Sequence, residues 1–216
     1  MRRRGESTLV SSIVLIGFAL VIGVAMLSYS ISLIAYYRSQ VDLSTTLQSE
    51  VVNTLVNVVS YDNTTSTLWL LFKRIDGSKQ GFFIVVEASG VYLNCSSILV
   101  YNPSRDSNSI LCDEQNDCLN SSAVTKVTPD KVYVYEEGSV VDFSTYAKLR
   151  GYTLPNSIEV CRVPNVCEVA NYPGACSAST FTKLLVPSSA GKVRVFLVVL
   201  FNNRPYIVNI YEVPLK

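Results

Sequence analysis

The chain has 216 residues, of which 49% are apolar, and its formal net charge is +1. This length suits one or two domains with a well-packed core. When the three arginines at positions 2–4 are set aside, acidic residues outnumber basic ones, so there is no basic stripe for nucleic acid to bind. Histidine is absent, which removes the commonest general base and metal ligand.

An uncharged segment from Leu9 to Tyr37 dominates the N-terminal region. A helix of about 20 apolar residues crosses a bilayer, so this segment is long enough to span one. A cleaved secretory signal has a shorter apolar core, about 7–15 residues, followed by small residues at the cleavage site. The segment exceeds that length, and its C-terminal flank is a poor cleavage site. Cleavage behind it is therefore the weaker interpretation.

Three arginines, Arg2, Arg3 and Arg4, precede this segment. The positive-inside rule keeps them in the cytoplasm and predicts that the chain after Arg38 lies outside. Small residues within the segment, including Gly17, Ala19 and Gly23, let helices approach closely in lipid. Such residues are common in single-span anchors, but they also suit a helix that packs against copies of itself.

Apolar residues continue at a spacing of four beyond the uncharged segment, with polar residues between them. They are Leu43, Leu47, Val51, Leu55 and Val59. This spacing predicts an amphipathic helix that continues from the apolar one. The predicted helix runs from about Thr8 to Ser60, a length of roughly 80 Å at 1.5 Å per residue.

The rest of the chain has the alternation and composition of β-strands. Segments 66–75 and 81–89 flank "DGSKQ", and segments 192–201 and 204–213 flank "NN". Each pair predicts a β-hairpin. The apolar runs "FIVV" and "VFLVVLF" are apolar on both faces, which predicts that one face meets the long helix.

Shorter strands are predicted within 91–94, 97–101 and 131–137. Segments 102–130 and 144–180 are rich in Ser, Asn, Pro and Cys and are predicted to be loops. The predicted fold class is α+β, a long hydrophobic N-terminal helix followed by a mainly antiparallel β-sandwich-like globular domain.

Six cysteines lie after the apolar segment, on the side expected to be outside. They are Cys95, Cys112, Cys118, Cys161, Cys167 and Cys176. An even number in an exported domain predicts disulfides, and six cysteines permit about fifteen pairings. A zinc site is disfavoured because there is no C-x2-C pair and no histidine. A catalytic thiol has no evident base.

Three glycosylation sequons begin at Asn63, Asn94 and Asn120. They are candidate modification sites, although such matches also arise by chance in a chain rich in Ser, Thr and Asn.

A short acidic segment contains Asp113, Glu114 and Asp117. Its carboxylates could hold calcium, but their spacing does not match a recognised calcium loop. A solvated acidic turn is the favoured interpretation. The sequence has no phosphate-binding glycine loop and no nucleophile elbow. No enzymatic activity and no cofactor are therefore predicted.

The start of the chain, "RRRG" followed by a slightly polar stretch and a long apolar helix, resembles the class III signal peptide of type IV pilin-like proteins. The resemblance is strongest to archaeal pilins and archaellins, and it covers about the first 60 residues in detail. It implies a leader of Arg2, Arg3, Arg4 and Gly5. A prepilin peptidase would cut between Gly5 and Glu6, or alternatively after Ser7.

The resemblance also implies that the helix is retained and packs in the core of a filament of identical subunits. Assembly would need a membrane platform protein and an assembly ATPase. The precursor would sit in the membrane with its N-terminus in the cytoplasm, and the mature protein would be extracellular. Val10 departs from bacterial pilins, which usually carry glutamate at this position, the fifth after the cut.

The predicted organisation is a leader at 1–5, a hydrophobic and amphipathic helix at 6–60, and a disulfide-bonded extracellular β domain at 61–216. The expected function is that of a pilin, the structural subunit of a filament used in adhesion or motility. The alternative is a single-span membrane-anchored extracellular domain for ligand binding or adhesion. Processing separates these hypotheses, because a pilin loses Arg2–Arg4 and an anchored domain keeps them.

Overall fold

The structure is a computed structural model that describes residues 4–105, 118–154, 157–170 and 177–215. It begins with helix α1, Arg4–Asn53, of 50 residues. The chain divides into two compact units at a boundary after Thr45. The last two turns of α1 therefore belong to the second unit, together with all of the strands.

Helix α1 ends earlier than the sequence predicts. Residues 54–60, predicted to continue the helix, begin strand β1, Thr54–Asp62. Leu55 and Val59 therefore lie on a strand, where β-branched and aliphatic side chains are also favoured. Pairing with the next strand along the chain stabilises this alternative, with Thr54 opposite Arg74 and Asp62 opposite Thr67.

Thirteen strands follow in the described residues. They are β1 (Thr54–Asp62), β2 (Thr67–Arg74), β3 (Phe82–Ala88), β4 (Val91–Tyr92), β5 (Ile98–Tyr101), β6 (Leu119–Asn120), β7 (Thr125–Val127), β8 (Tyr133–Glu136), β9 (Ser139–Asp142), β10 (Val160–Val163), β11 (Ser179–Leu185), β12 (Lys192–Phe201) and β13 (Arg204–Pro214). Two further helices are α2 (Phe143–Arg150) and α3 (Val166–Ala170). Short 3₁₀ turns occupy Cys95–Ser97 and Pro103–Arg105.

The strands form two sheets. The five-stranded sheet has the order β1-β2-β11-β5-β6, and the eight-stranded sheet has the order β7-β10-β3-β12-β13-β8-β9 with β4 paired to β3. Among the described strands, β8 and β13 are the one parallel pair. The prediction of an α+β protein with a mainly antiparallel, sandwich-like β domain is confirmed.

The main hydrophobic core contains side chains of both sheets, including Leu70 and Phe72 of β2 and Ile84 and Val195 of the eight-stranded sheet. These side chains are almost completely buried. Burying apolar surface at about 25 cal/mol per Å² is the main force that holds the two sheets together.

A second hydrophobic cluster contains other residues of the eight-stranded sheet together with residues of helix α2. Phe143 and Ala147 of α2 join Phe196 and Val198 of β12 there. In the described residues this cluster includes no side chain of α1, and helix α2 covers this part of the sheet. The side chains of α2 lie within or next to the segment 144–180, which was predicted to be a loop. Thr46 and Glu50 of α1 line a cavity together with Leu197–Leu200 of β12, and the prediction that one face of these strands meets the long helix stays a prediction.

The two predicted hairpins differ in outcome. Strands β12 and β13 form the second one, with Asn202 and Asn203 at φ 50° and 60°. In a two-residue turn, two residues with a left-handed backbone conformation match the twist of the flanking strands. The first hairpin is wrong, because β2 pairs with β1 and β11 while β3 pairs with β10 and β12. The "DGSKQ" segment therefore connects the two sheets.

Segments 102–130 and 144–180 also contain more regular structure than predicted. Helix α2 is capped at its start by Asp142, whose carboxylate accepts a hydrogen bond from the Ser144 N–H. Gly151 ends the helix in a left-handed conformation at φ 69°. Strands β6, β7 and β10 are only two to four residues long, too short for a periodic sequence pattern to mark them.

Candidate functional site

The apolar part of α1 exposes its side chains along its whole length. Exposed fractions are 60% for Val10, 68% for Leu15, 67% for Met26 and 59% for Tyr37. The helix is long and apolar enough to cross a membrane, with a mean hydropathy of 2.6 in its most apolar window. A large uninterrupted apolar surface of this kind marks a contact with lipid or with other protein.

Two serines in this stretch satisfy their hydroxyl groups within the helix. Ser30 Oγ donates to the carbonyl of Met26 at 2.8 Å, and Ser32 Oγ donates to the carbonyl of Ser28 at 3.0 Å. Since no water is available in a bilayer, an unsatisfied polar group there is costly. These internal bonds make the serines compatible with an apolar environment.

The predicted helix-packing residues Gly17, Ala19 and Gly23 all lie in this exposed stretch. A Cβ atom built on Gly17 or Gly23 has no neighbour within 4 Å. No contact among the described residues therefore requires a glycine at either position. Both leave open space on the helix surface, where a second helix could approach.

The predicted leader is described only in part. Met1, Arg2 and Arg3 lie outside the described residues, whereas Arg4, Gly5 and Glu6 form the beginning of α1. Cleavage between Gly5 and Glu6 stays a prediction.

The end of α1 is fixed within the second unit by specific polar contacts. Glu50 forms an ion pair with Arg74 of β2, whose side chain is only 5% exposed. Gln48 Nε2 donates to the hydroxyl of Tyr135 on β8 at 3.4 Å. These two contacts tie the last turns of α1 to both sheets, and Leu47, which precedes Gln48, is completely buried.

Backbone groups complete this junction where helix changes to strand. The Ile75 N–H donates to the carbonyl of Asn53 at 2.8 Å. The Tyr211 hydroxyl donates to the carbonyl of Thr54 at 3.2 Å. These bonds satisfy carbonyls at the helix end that have no partner within the helix. Sequence patterns did not identify this junction, because its partners come from distant strands.

A cavity of about 710 Å³ adjoins the junction. Its lining includes Val51 and Val52 of α1, Glu137 of the turn between β8 and β9, and Ile207 and Ile210 of β13. The lining is mixed apolar and polar, and the cavity is open to the surface. The lining contains no cysteine or histidine. Its residue Glu136 forms an exposed ion pair with Arg150.

Of the predicted cysteines, the structure pairs Cys95 with Cys161, which lies on β10. Cys118 and Cys167 are also disulfide-bonded. No cysteine among the described residues is free, whereas Cys112 and Cys176 lie outside them. Disulfide bonding is thus confirmed, and the number of three bridges stays a prediction.

The sequons fall in different surroundings. Asn63 lies in the turn between β1 and β2, and Asn94 is exposed just before a 3₁₀ turn. Asn120 is half-buried, and its Oδ1 accepts hydrogen bonds from Ser122 Oγ at 2.7 Å and Ala123 N at 3.2 Å. Asn63 and Asn94 are therefore the more accessible candidates, and modification of all three stays a prediction.

A buried charged cluster in the eight-stranded sheet was not found from the sequence. Arg194 donates to Glu87 at 2.8 Å and to Glu212 at 2.5 Å, and its guanidinium lies 4.2 Å from the ring centre of Tyr152. The hydrogen bond from Arg194 lowers the pKa of Glu212. Burial, with a smaller contribution from the charge of Glu87, raises the pKa of Tyr92 to about 12. Arg194 is the shared cation of Glu87 on β3 and Glu212 on β13, so the cluster is suited to holding three strands together.

The described residues contain no group of three or more His, Cys, Asp or Glu side chains that could hold a metal ion. The acidic segment with Asp113, Glu114 and Asp117 lies outside the described residues.

No protein-family model matches the sequence, and no curated protein matches it. Among solved structures, the crystal structure of the human F-spondin reeler domain (fragment 1) is similar at 5% sequence identity and a TM-score of 0.26. The match covers 76% of this chain and 89% of that one. A similarity this low carries no argument about function.

The exposed apolar helix followed by a β-rich domain fits a membrane-anchored protein or a filament subunit in general. The same arrangement is compatible with a pilin-like fold. The helix itself suggests membrane insertion or a signal sequence.

Proposed function

We propose that this protein is a pilin, the structural subunit of an extracellular type IV pilus-like filament that polymerises through α1. The observation that carries the proposal is the apolar stretch of α1, which is exposed from Val10 to Tyr37. Lipid covers such a surface before assembly. Outside the membrane, identical helices of other subunits provide the same covering.

The features of this stretch suit a helix that serves in both environments. It carries no charge between Leu9 and Tyr37, and the hydroxyls of Ser30 and Ser32 are satisfied internally. The open space at Gly17 and Gly23 allows close approach of a neighbouring helix.

The junction at the end of α1 supplies a second support. The ion pair of Glu50 with Arg74 and the buried Leu47 bind the last turns of the helix to the β domain. A filament subunit needs this connection, since force on the β domain must pass into the helix. A short flexible linker would serve a simple membrane anchor equally well.

The proposal includes a structural role without catalysis, cofactor or nucleic acid. Its partners are identical subunits, a prepilin peptidase, a membrane platform protein and an assembly ATPase. The filament would act in adhesion or motility.

The second candidate is a single-span anchored domain that binds a ligand outside the cell. The cavity of about 710 Å³ beside Val51 and Ile210 favours it, because a ligand could enter there. This candidate needs neither processing of the N-terminus nor contact between copies.

Processing and location test the proposal together. Surface material is sheared from cells, and the N-terminus of this chain is sequenced. We expect filaments that contain the chain beginning at Glu6, or at Thr8 if the cut follows Ser7. Gly5→Phe should abolish cleavage and filaments, whereas Gly5→Ala should be processed because it keeps a small residue at the cut. A chain found only in membranes, with Met1 or Arg2 at its start, would show that it is an anchored protein.

A further inference from the structure

We propose that strand β1 pairs with β1 of a second copy of this chain, in antiparallel orientation about a two-fold axis. The strand forms one edge of the five-stranded sheet, and β2 is its one strand neighbour in the described part of the chain. An edge strand presents backbone N–H and C=O groups that can bind another strand.

The chemistry of β1 differs from that of the other three sheet edges. Strands β6, β7 and β9 have two, three and four residues, and β7 and β9 carry Lys126 and Asp142. Strand β1 has nine residues, "TLVNVVSYD", with no proline and no charge before Asp62. Short length, charge and proline are the usual protections against edge pairing. Strand β1 lacks all three over eight residues, and its one irregularity against β2 is a register shift between Val58 and Ser60.

Side chains on β1 are exposed although they are apolar. Val58 and Val59 are 48% and 47% exposed, and Leu55 is 37% exposed. At the same end of the sheet, Val52 and Ile75 are 70% and 60% exposed. An apolar margin around an open edge gives an incoming strand contacts for its side chains as well as for its backbone.

The absence of charge before Asp62 suits an identical strand as the partner. Two copies of β1 meet without charge repulsion. In antiparallel pairing about a two-fold axis, both strands use the same backbone groups and side chains in the contact. The charge of Asp62 lies at the end of the strand, where Thr64 N and Thr65 Oγ1 already bind it at 2.8 and 2.6 Å. It therefore does not oppose pairing of the central residues.

A single strand pair buries less surface than the roughly 1,200 Å² of a stable interface, so one such contact is weak. Repetition along a polymer would strengthen it through avidity. The next step rests on the proposed function. A filament whose subunits all point in the same direction has no two-fold axis across it, so β1 pairs would connect subunits of two filaments that lie side by side.

Photo-cross-linking of the full chain in its native membrane or filament state tests the pairing. A photoreactive amino acid replaces Asn57, which is exposed on β1. A second variant carries it at Val21, a 68% exposed large side chain one turn from Gly17, where helix contact is expected. We expect the Asn57 position to yield dimers in which mass spectrometry places the cross-link within residues 54–62 of another copy. Val58→Lys or Val59→Lys should reduce this product at least tenfold. Val140→Lys, at a 42% exposed position on edge strand β9, is the matched control and should leave it unchanged.

The outcomes separate the two proposals. Cross-links at Val21 without any at Asn57 would overturn β1 pairing while supporting the filament. Cross-links from Asn57 to another region, to another protein or to lipid would also overturn it, as would a product that persists in both lysine variants. Dimers at Asn57 without any between helices would support β1 pairing and contradict the filament. If the lysine variants still form single filaments but lose their side-by-side association, both proposals are supported.

Discussion

Arg74 and Glu50 form an ion pair between strand β2 and the last turn of helix α1. The Arg74 side chain is 5% exposed, its Nη2 also donates to the carbonyl of Gly81 at 3.3 Å, and its guanidinium lies 5.2 Å from the ring centre of Phe82. A cation this deeply buried depends on its anionic partner, since an uncompensated charge in the interior is costly.

Removing the Glu50 charge should destabilise the second unit. We expect Glu50→Gln to lower the free energy of unfolding by about 2–3 kcal/mol, somewhat less than for a fully buried pair because Glu50 is 24% exposed. Glu136→Gln breaks the exposed pair with Arg150 and should cost under about 1 kcal/mol. Chemical denaturation of the full chain in detergent measures both. Equal effects of the two substitutions would contradict a special role for the buried pair.

The Cys95–Cys161 disulfide closes a loop with a sequence separation of 66 residues. Replacing both cysteines by alanine should lower the free energy of unfolding by about 2–4 kcal/mol, because the unfolded chain gains freedom. Thermal unfolding with the other cysteines kept oxidised measures this loss. A change below about 1 kcal/mol would show that the bond does not constrain the unfolded chain.

Alkylation of the wild-type protein before reduction checks the remaining cysteines. We expect no labelled cysteine in the folded protein, including Cys112 and Cys176. Two or more fully labelled cysteines, identified by mass spectrometry, would contradict the prediction of three bridges.

The cap of helix α2 should produce a measurable dependence on pH. Hydrogen bonds from the Ser144 side chain and from its backbone N–H lower the pKa of Asp142. A carboxyl group with a lowered pKa adds stability above its unfolded-state pKa of about 4, and this stability is lost as pH falls through the folded-state value.

We therefore expect Asp142→Ala to cost about 1 kcal/mol at pH 7. The difference from the wild type should shrink below about pH 4, where the wild-type carboxylate becomes protonated. Asp130→Ala, at an exposed loop position, is the control and should have little effect. Denaturation curves at several pH values would contradict the cap if the Asp142→Ala difference were the same at low pH.

Helix packing in the filament predicts a specific effect at Gly17. Gly17→Leu fills space that has no neighbour within 4 Å in the described chain, so the β domain should fold and insert normally. Filaments should be lost because the added side chain separates adjacent helices. Val21→Leu, one turn away at a position already occupied by a large side chain, should assemble. Electron microscopy of sheared fractions reads out both, and normal filaments from Gly17→Leu would disprove tight packing there.

Local patterns predicted those parts of the fold that depend on neighbouring residues. The apolar helix and the Asn202–Asn203 hairpin are of this kind, because uninterrupted hydropathy and turn chemistry identify them. The end of α1 was misplaced because Leu55 and Val59 fit a helical spacing of four as well as a strand. Only the pairing of β1 with β2, which begins with Thr54 opposite Arg74, decides between helix and strand.

The other errors have a similar physical origin. Strands β2 and β3 flank a turn-like segment, but they do not pair with each other. Strand β2 pairs with β11 and β3 pairs with β10 and β12, which lie far along the chain. Of the candidate site, the exposed apolar helix was predictable from composition. The contacts of Glu50 and Gln48 were not, since nothing near them in the sequence marks Arg74 or Tyr135 as their partners.

The order of strands in the sheets constrains how this protein is made. Strand β2 needs β11, which ends at Leu185, and β3 needs β12, which ends at Phe201. Neither sheet can close until nearly the whole chain has emerged during synthesis or transport. Contacts between residues so distant in sequence form slowly, and unpaired strand edges are open to wrong partners meanwhile. A chaperone that holds strands β1 to β5 until β11 and β12 arrive would therefore raise the yield of folded protein.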